Sequence, residues 1–425
     1  MNKEDQKIIN NDRPMMPADG FSPALPEILS KHGNGLSWGL RMLMFMFKGI
    51  QIGQLDVNLP NGETRHFRGN SRPELHGVLN IRDGAMIRHV LKNGEVGFGE
   101  AYMDGLWDSP DLASLLAVMY LNEPYYLGPY EKNFVSRFLG WLKHKSRANT
   151  KKKALENIQY HYDLGNSFYK LWLDDTMAYS SGVFKKPNET LMDSQINKFA
   201  NMYERLQLKP EHTLLEIGSG WGGFAIYAAQ RSGCRVHSIT LSKEQLEEAQ
   251  RRAEAAGVSD RVSFELRDYR DIEGTYDRVV SIEMYEAVGE EFWPTYFSAI
   301  QRALNPGGRA AIQGITIHPE IFDQYRTKID FIQKYIFPGG MLATPGVFAD
   351  VAGCAGLTTE RPEFFARDYA DTLAIWHRNV LAVRDTIVHQ FDERFLRMWR
   401  YYLAYCECGF RVERVNLMQV TLLKR

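Results

Sequence analysis

At 425 residues the chain is longer than one ordinary domain, so two domains are the default expectation. Hydrophobic residues make up 44% and charged residues 24%, which excludes a disordered chain and allows a substantial core. A formal net charge of −1 excludes a generally basic, nucleic-acid-binding surface, and no nucleic-acid partner is expected.

Residues 1–35 read as a poorly ordered tail, with four prolines among the first thirty residues and no apolar stretch of a secretory leader. Leu36 to Ile50 (LSWGLRMLMFMFKGI) is apolar but interrupted by Arg41 and Lys48, and it is too short to span a bilayer. It reads as a core helix, with an interfacial amphipathic helix as the alternative. Gln54 to Arg68 alternates apolar and polar around Asn61-Gly62, a hairpin signal, because a tight type I′ turn needs positive φ at both central residues. Gly77 to Val90 reads as a strand running into a helix, and Leu112 to Tyr120 as a helix behind the start signal Ser109-Pro110-Asp111. Residues 36–140 thus form a small α+β domain that is a candidate for lipid or membrane contact. Residues 141–154 are a linker, with six Lys/Arg residues in KHKSRANTKKK that can also dock on anionic lipid.

From residue 155 to 425 short strands alternate with helices. The strands are Thr213–Ile217, Arg235–Thr240, Arg261–Leu266, Asp277–Ile282 and Gly308–Thr316. The helices are Gly222–Arg231, Lys243–Ala256 and Pro294–Leu304. This βαβ rhythm predicts an α/β fold, a Rossmann-like open sheet, largely parallel, with helices on both faces. Cysteines at 234, 354, 406 and 408 are too few for a disulfide scaffold. Cys406 and Cys408 lack the second pair of a zinc site, so no metal is expected and a reducing cytoplasm is the reading.

Glu216-Ile-Gly218-Ser-Gly220-Trp-Gly222 lies at a strand-to-helix turn, where glycines let the backbone pass close under a ligand. A carboxylate ahead of the first glycine disfavours a pyrophosphate and favours an ammonium, as in Class I methyltransferases that bind S-adenosylmethionine. Thr240 and Gln245, after the second strand, can meet a ribose diol. Asp268, after the third, can accept from an adenine amine. Each taken alone is equally a surface residue; their place at the ends of successive strands favours the cofactor.

Several stretches resemble the cyclopropane-fatty-acyl-phospholipid synthases and the mycolic acid cyclopropane synthases. They are Tyr160–Asn166 (YHYDLGN), Met177–Ser181 (MAYSS), EIGSGWGG, Thr240–Gln245, Ser281–Gly289 (SIEMYEAVG), Tyr335–Met341 (YIFPGGM) and the cysteine-containing C-terminal segment. The resemblance implies methylene transfer from S-adenosylmethionine to the cis double bond of a phospholipid acyl chain. It implies Glu286 and Tyr369 at a bicarbonate ion that acts as base, Tyr179 and Ser180 over the cofactor, and Cys406 as a C-terminal catalytic candidate. Nothing in the chemistry requires a thiolate, and a buried cysteine is usually inert. Methyl transfer leaves a carbocation, and a carboxylate about 4 Å from it contributes roughly 4 kcal/mol at an effective dielectric of 20. Partners implied are phospholipid acyl chains at a membrane surface, with the protein peripheral on the inner face of the membrane and a homodimer as an open assembly.

Two departures touch the implied bicarbonate site. Ser181 stands where the family usually has cysteine, and Gln313 where it has histidine. Both still donate hydrogen bonds to an anion, but Gln313 cannot titrate. The leading expectation is a cyclopropane-type synthase. These departures keep a fatty-acid C-methyltransferase open, and a non-catalytic lipid-binding homologue is the reading from another class.

Overall fold

The computed structural model describes residues 36–127 and 164–424. The tail 1–35, the basic linker 141–154 and the start of the Tyr160–Asn166 motif lie outside them. The first helix, α1 (Trp38–Phe47), is capped by Ser37, whose Oγ accepts from the Leu40 N–H, and it buries Leu40, Met44 and Phe47. Its opposite side is also apolar: Trp38 is 74% exposed, Phe45 71% and Met42 39%. The core and interfacial readings of this stretch therefore apply to different faces of one helix, because residues at spacings of three, four and seven share a face.

A hairpin forms around Asn61-Gly62, between β1 (Ile52–Asn58) and β2 (Thr64–Arg68), with Val57 opposite Arg65. The turn is not the expected type I′: only Gly62 has positive φ, at 86°, and its N–H donates to the Leu59 carbonyl at 2.9 Å. Strand β3 (Ser71–Ile81) pairs parallel to β1. Helix α2 (Met86–Met103) follows, broken at Gly94, where φ is 56° and ψ −128°. Then come β4 (Trp107–Asp108), α3 (Leu112–Leu121), capped by Asp111, and α4 (Glu123–Leu127). The sheet order is β2-β1-β3-β4.

The second part begins with α5 (Gly165–Tyr169) and α6 (Leu191–Leu206), the latter opened by a Thr190/Asp193 capping box. It continues β5 (Thr213–Ile217), α7 (Gly223–Ser232), β6 (Arg235–Thr240), α8 (Lys243–Ala255) and β7 (Val262–Leu266). After these come β8 (Tyr276–Ile282), α9 (Trp293–Ala303) and β9 (Leu304–Ile317). The rest is α10 (Pro319–Tyr325), α11 (Phe331–Tyr335), α12 (Pro345–Cys354), β10 (Leu357–Phe364), α13 (Ala366–Ala382), α14 (Arg384–Gln390), α15 (Glu393–Arg411) and β11 (Val415–Lys424).

Seven strands run in the order β10-β11-β9-β8-β5-β6-β7. The five from β9 to β7 are parallel, while β11 is antiparallel to β9 and β10 to β11. The open α/β architecture read from the alternation is therefore present. Strand order reverses at β5, whose neighbours are β6 on one side and β8 on the other. Helices leaving these strands diverge and open a crevice at their carboxyl ends, the usual ligand position in such sheets.

The four-stranded sheet does not stand apart. Trp107 and Tyr102 pack on Tyr401 of α15, and Phe331 of α11 lies 4.6 Å from the Tyr401 ring. Arg397 of α15 donates to the Tyr102 and Trp107 carbonyls and to Asp108. A buried guanidinium with each partner satisfied is expensive to remove, so this contact ties the N-terminal sheet to the helices that roof the crevice.

Candidate active site at the carboxyl edge of the sheet

The crevice holds a cavity of about 440 Å³. One end is the glycine loop between β5 and α7. Gly218, Gly220 and Gly222 all have positive φ, and a Cβ on Gly220 would meet nothing within 4 Å, so that side of the backbone is bare toward the space beside it. Gly222 serves packing instead, since a Cβ there would press on Phe264 and Ala249 at 3.0–3.1 Å. Glu216 lines the cavity at this end and accepts from Ser238 Oγ at 2.5 Å. Burial pushes its carboxyl up to about 8. Thr240 Oγ1 donates to Gln245 Oε1 at 2.9 Å, and both residues line the cavity, so the two polar groups predicted for a ribose are adjacent and preset. Tyr179 and Ser180 lie across the cavity. The Tyr179 and Tyr402 hydroxyls are 2.7 Å apart, and Ser180 Oγ accepts from Lys198 Nζ at 2.6 Å. These residues fit a ligand with a charged amino acid end and a ribose.

Asp268 is bound by its own neighbour. Arg270 forks onto it, with Nε to Oδ1 at 2.8 Å and Nη2 to Oδ2 at 2.6 Å, and Asp268 is not among the cavity-lining residues. Its carboxylate is engaged in this ion pair and in capping the turn at Tyr269. Its neighbours Arg267 and Tyr269 line the cavity instead.

Beyond the cofactor end lies a set of carboxylates. Glu286 lines the cavity, with Oε1 accepting from the Ile315 N–H at 2.5 Å and Oε2 without a hydrogen-bond partner. Enclosure by protein pushes it up to about 8, and the charge of Glu283 adds to this. Glu283 was missed by sequence reasoning, although it lies in SIEMYEAVG three residues before the glutamate that was chosen. Its Oε1 accepts from the Ser181 N–H at 2.9 Å and from Gln313 Nε2 at 2.8 Å, and its Oε2 from the Tyr369 hydroxyl at 2.5 Å. Gln313 is aimed by Gln419, whose Nε2 donates to Gln313 Oε1 at 2.8 Å. Lys198, also missed, is 1% exposed and supplies a positive charge facing Glu283 and Glu216. Burial draws it down to about 8 against the pull of those carboxylates.

The bicarbonate implied by the resemblance does not fit this arrangement. Ser181, Gln313 and Tyr369, expected to hold it, all donate to Glu283, so a second anion would face a carboxylate in place of free donors. The departure at Ser181 carries little weight for a physical reason: its backbone N–H holds the anion, while its hydroxyl turns to the Gly182 carbonyl. Cys406 lines the cavity, but enclosure pushes its thiol far above the usual range, so it stays protonated and is a poor nucleophile. Among the described residues no cluster of His, Cys, Asp and Glu could hold a metal ion.

A glycine-looped switch point, a buried acid behind it and a polar pair at the next strand define a Class I methyltransferase. The chain belongs to the mycolic acid cyclopropane synthetase family, whose model matches residues 149–420. It is 37% identical over 372 residues to the tuberculostearic acid methyltransferase UfaA1 of Mycobacterium tuberculosis, covering 84% of this chain and 85% of that one. It is 33% identical over 350 residues to the cyclopropane-fatty-acyl-phospholipid synthase of Escherichia coli, covering 80% and 86%. Among solved structures, the mycolic acid cyclopropane synthase CmaA1 complexed with SAH and CTAB superposes with a TM-score of 0.60 at 29% identity, over 64% of this chain and 98% of that one. S-adenosylmethionine is the methyl donor of this family and of this chain.

Proposed function

We propose that this enzyme methylates the cis double bond of unsaturated acyl chains in phospholipids and releases a methylated, open-chain product. One observation carries the reading: a single cavity joins the cofactor loop to apolar walls, among them Ile315, Phe337, Met341, Leu342, Leu373 and Phe410, with carboxylates at the junction. Apolar walls suit an alkyl chain, and negative charge at the junction stabilises a cation formed on it. When bound, S-adenosylmethionine supplies an electrophilic methyl group on a cationic sulfur. Glu216 answers its ammonium, and Thr240 and Gln245 orient its ribose. The open-chain product, in preference to a ring, is supported by the filled anion site, which departs from the bicarbonate arrangement that the resemblance implies. It agrees with the likeness to a fatty-acid methyltransferase. Purified protein, S-adenosylmethionine and dioleoyl-phosphatidylglycerol vesicles test it by proton NMR of the extracted lipid. New methylated alkene signals are expected; an upfield cyclopropane methylene signal alone overturns the product assigned.

The substrate's location calls for a membrane-facing surface, and α1 suits it. Trp38, Met42 and Phe45 form an exposed apolar face, with Arg41 and Lys48 exposed on the same helix to meet anionic headgroups. No helix among the described residues is long and apolar enough to cross a membrane. Replacing Trp38 and Phe45 together by serine should weaken binding to anionic vesicles by about tenfold or more. Undiminished sedimentation with vesicles would remove α1 from the contact.

A further inference from the structure

Glu283 is held as a bound anion would be held, and it is part of the chain. We propose that Glu283 is the enzyme's own base, accepting the proton that the alkylated acyl chain loses, so that no bicarbonate takes part. The inference rests on the lipid methyltransferase reading but not on which product is released.

Three donors from three separate segments converge on its two oxygens: the Ser181 N–H from the loop after α5, Gln313 Nε2 from β9 and the Tyr369 hydroxyl from α13. The backbone is bent to deliver it. Glu283 has φ of 51°, a left-handed conformation that residues with a Cβ rarely adopt, and its N–H is tied to the Gln313 carbonyl at 2.7 Å. Backbone strain of this kind persists where the surrounding structure over-determines it, and functional sites are where it collects. The side chain lines the cavity between the glycine loop and the apolar walls, where a chain carbon beside the methyl donor must lie. Enclosure raises its affinity for a proton, the Tyr369, Ser181 and Gln313 donors oppose that, and Lys198 offsets its charge. Gln313 and the Ser181 amide cannot titrate, and the Tyr369 hydroxyl is pushed well above its ordinary range, so it acts as a donor.

The step balances. The π pair of the alkene forms the new carbon–carbon bond as the carbon–sulfur bond breaks, leaving a neutral thioether and a cation on the adjacent chain carbon. A C–H bond near that cation then breaks and the proton passes to a Glu283 oxygen; the freed electron pair forms the new double bond, or the third ring bond where the proton leaves the transferred methyl. The carboxylic acid returns the proton to water when the product leaves. Glu286, three residues on, is pushed up to about 8 by enclosure and by the charge of Glu283, so it holds its proton at neutral pH and leaves Glu283 as the charged carboxylate beside the cation. Tyr369 is a positioning residue that aims the base.

Wild type, Glu283→Gln and Glu283→Gly are compared with methyl-labelled S-adenosylmethionine and dioleoyl-phosphatidylglycerol vesicles, in carbonate-free buffer and with saturating bicarbonate. Isotope-labelled bicarbonate is titrated into each protein by carbon NMR. The wild type should label lipid equally in both buffers and show no saturable bicarbonate binding. Glu283→Gln should lose about 100-fold or more of its rate with cofactor affinity, by calorimetry, kept within about threefold, because general-base assistance is typically of that size. Glu283→Gly suits the left-handed backbone and empties the cradle, so it should bind bicarbonate and regain about tenfold of rate on its addition. Saturable bicarbonate binding to wild type, loss of wild-type rate in carbonate-free buffer, or an unimpaired Glu283→Gln overturns the proposal. A wild type that labels no lipid would instead overturn the lipid reading, while the bicarbonate titration still decides whether Glu283 fills the anion site.

Discussion

The two ends of the cavity are built differently. The cofactor end is local: Glu216, the three glycines, Thr240 and Gln245 lie within thirty residues, at the ends of two adjacent parallel strands. The anion end is assembled from Ser181, Glu283, Gln313 and Tyr369, separated by up to 188 positions of chain. A local site can be read as a motif because one turn dictates its geometry. An assembled site depends on which segments the sheet order brings together, so a residue change in one segment can be answered by a residue in another. At Ser181 and Gln313 that answer is Glu283.

The comparison can be broken at either end. The largest loss of cofactor affinity should follow Gly220→Val. Its left-handed backbone disfavours a branched side chain, which would also stand in the open space where the ligand passes, and calorimetry should show affinity falling on the order of 100-fold. Affinity within a few-fold of wild type would mean that the loop does not carry the cofactor. At the anion end, Tyr369→Phe deletes a hydrogen bond to a carboxylate, which is typically about 1.5–3 kcal/mol, so lipid methylation should slow roughly 10- to 100-fold. Cofactor affinity should not move. If both parameters fall together, the two ends are not separable.

A milder test uses the buried acids shared by both ends. Glu216 and Glu286 are pushed from the ordinary carboxylate value of 4.5 to about 8, so the folded protein binds their protons more tightly than the unfolded chain. Stability of the cofactor-free protein should therefore decline as pH rises from about 5 to about 8. Lys198, drawn from 10.5 down to about 8 beside Glu283 and Glu216, acts in the opposite sense, but only above pH 8. Below about 4.5 other carboxylates take over. Asp56, Glu100 and Glu248 are held down to about 2 by their hydrogen-bonded partners, and their protonation favours unfolding. Thermal midpoints that rise steadily from pH 5 to 8 would contradict this. The smallest effect is expected at Asp268→Asn, where affinity should change less than about threefold, since the lost ion pair lies outside the cavity. A larger loss would restore Asp268 to the adenine contact.

Most of the fold was legible. The hairpin at Asn61-Gly62, the strands Thr213–Ile217 and Arg235–Thr240 and the helix after the glycine loop followed from period and turn chemistry. Less legible was α1, because a helix apolar on two faces has no periodic signature that tells the core side from the free side. Of the site, the cofactor-loop residues were legible as short motifs because one turn brings them together, whereas the ion pair that engages Asp268 comes from Arg270, two residues away. Glu283 carried one signal, a second carboxylate three residues before Glu286 in the same motif.

What the sequence by itself determined is the part governed by neighbours along the chain: alternating strands and helices, a glycine turn that exposes bare backbone, an acid set before it. What only the tertiary structure decided is the owner of the negative charge at the reaction centre. Hydrogen-bond donors on a loop, a strand and a distant helix have no order in sequence space. They become one cradle when β9 lies beside β8 and α13 packs across the crevice, and a carboxylate on a left-handed residue at the end of β8 is the group that reaches them. Physical proximity there is set by sheet order and packing, which local sequence pattern does not encode.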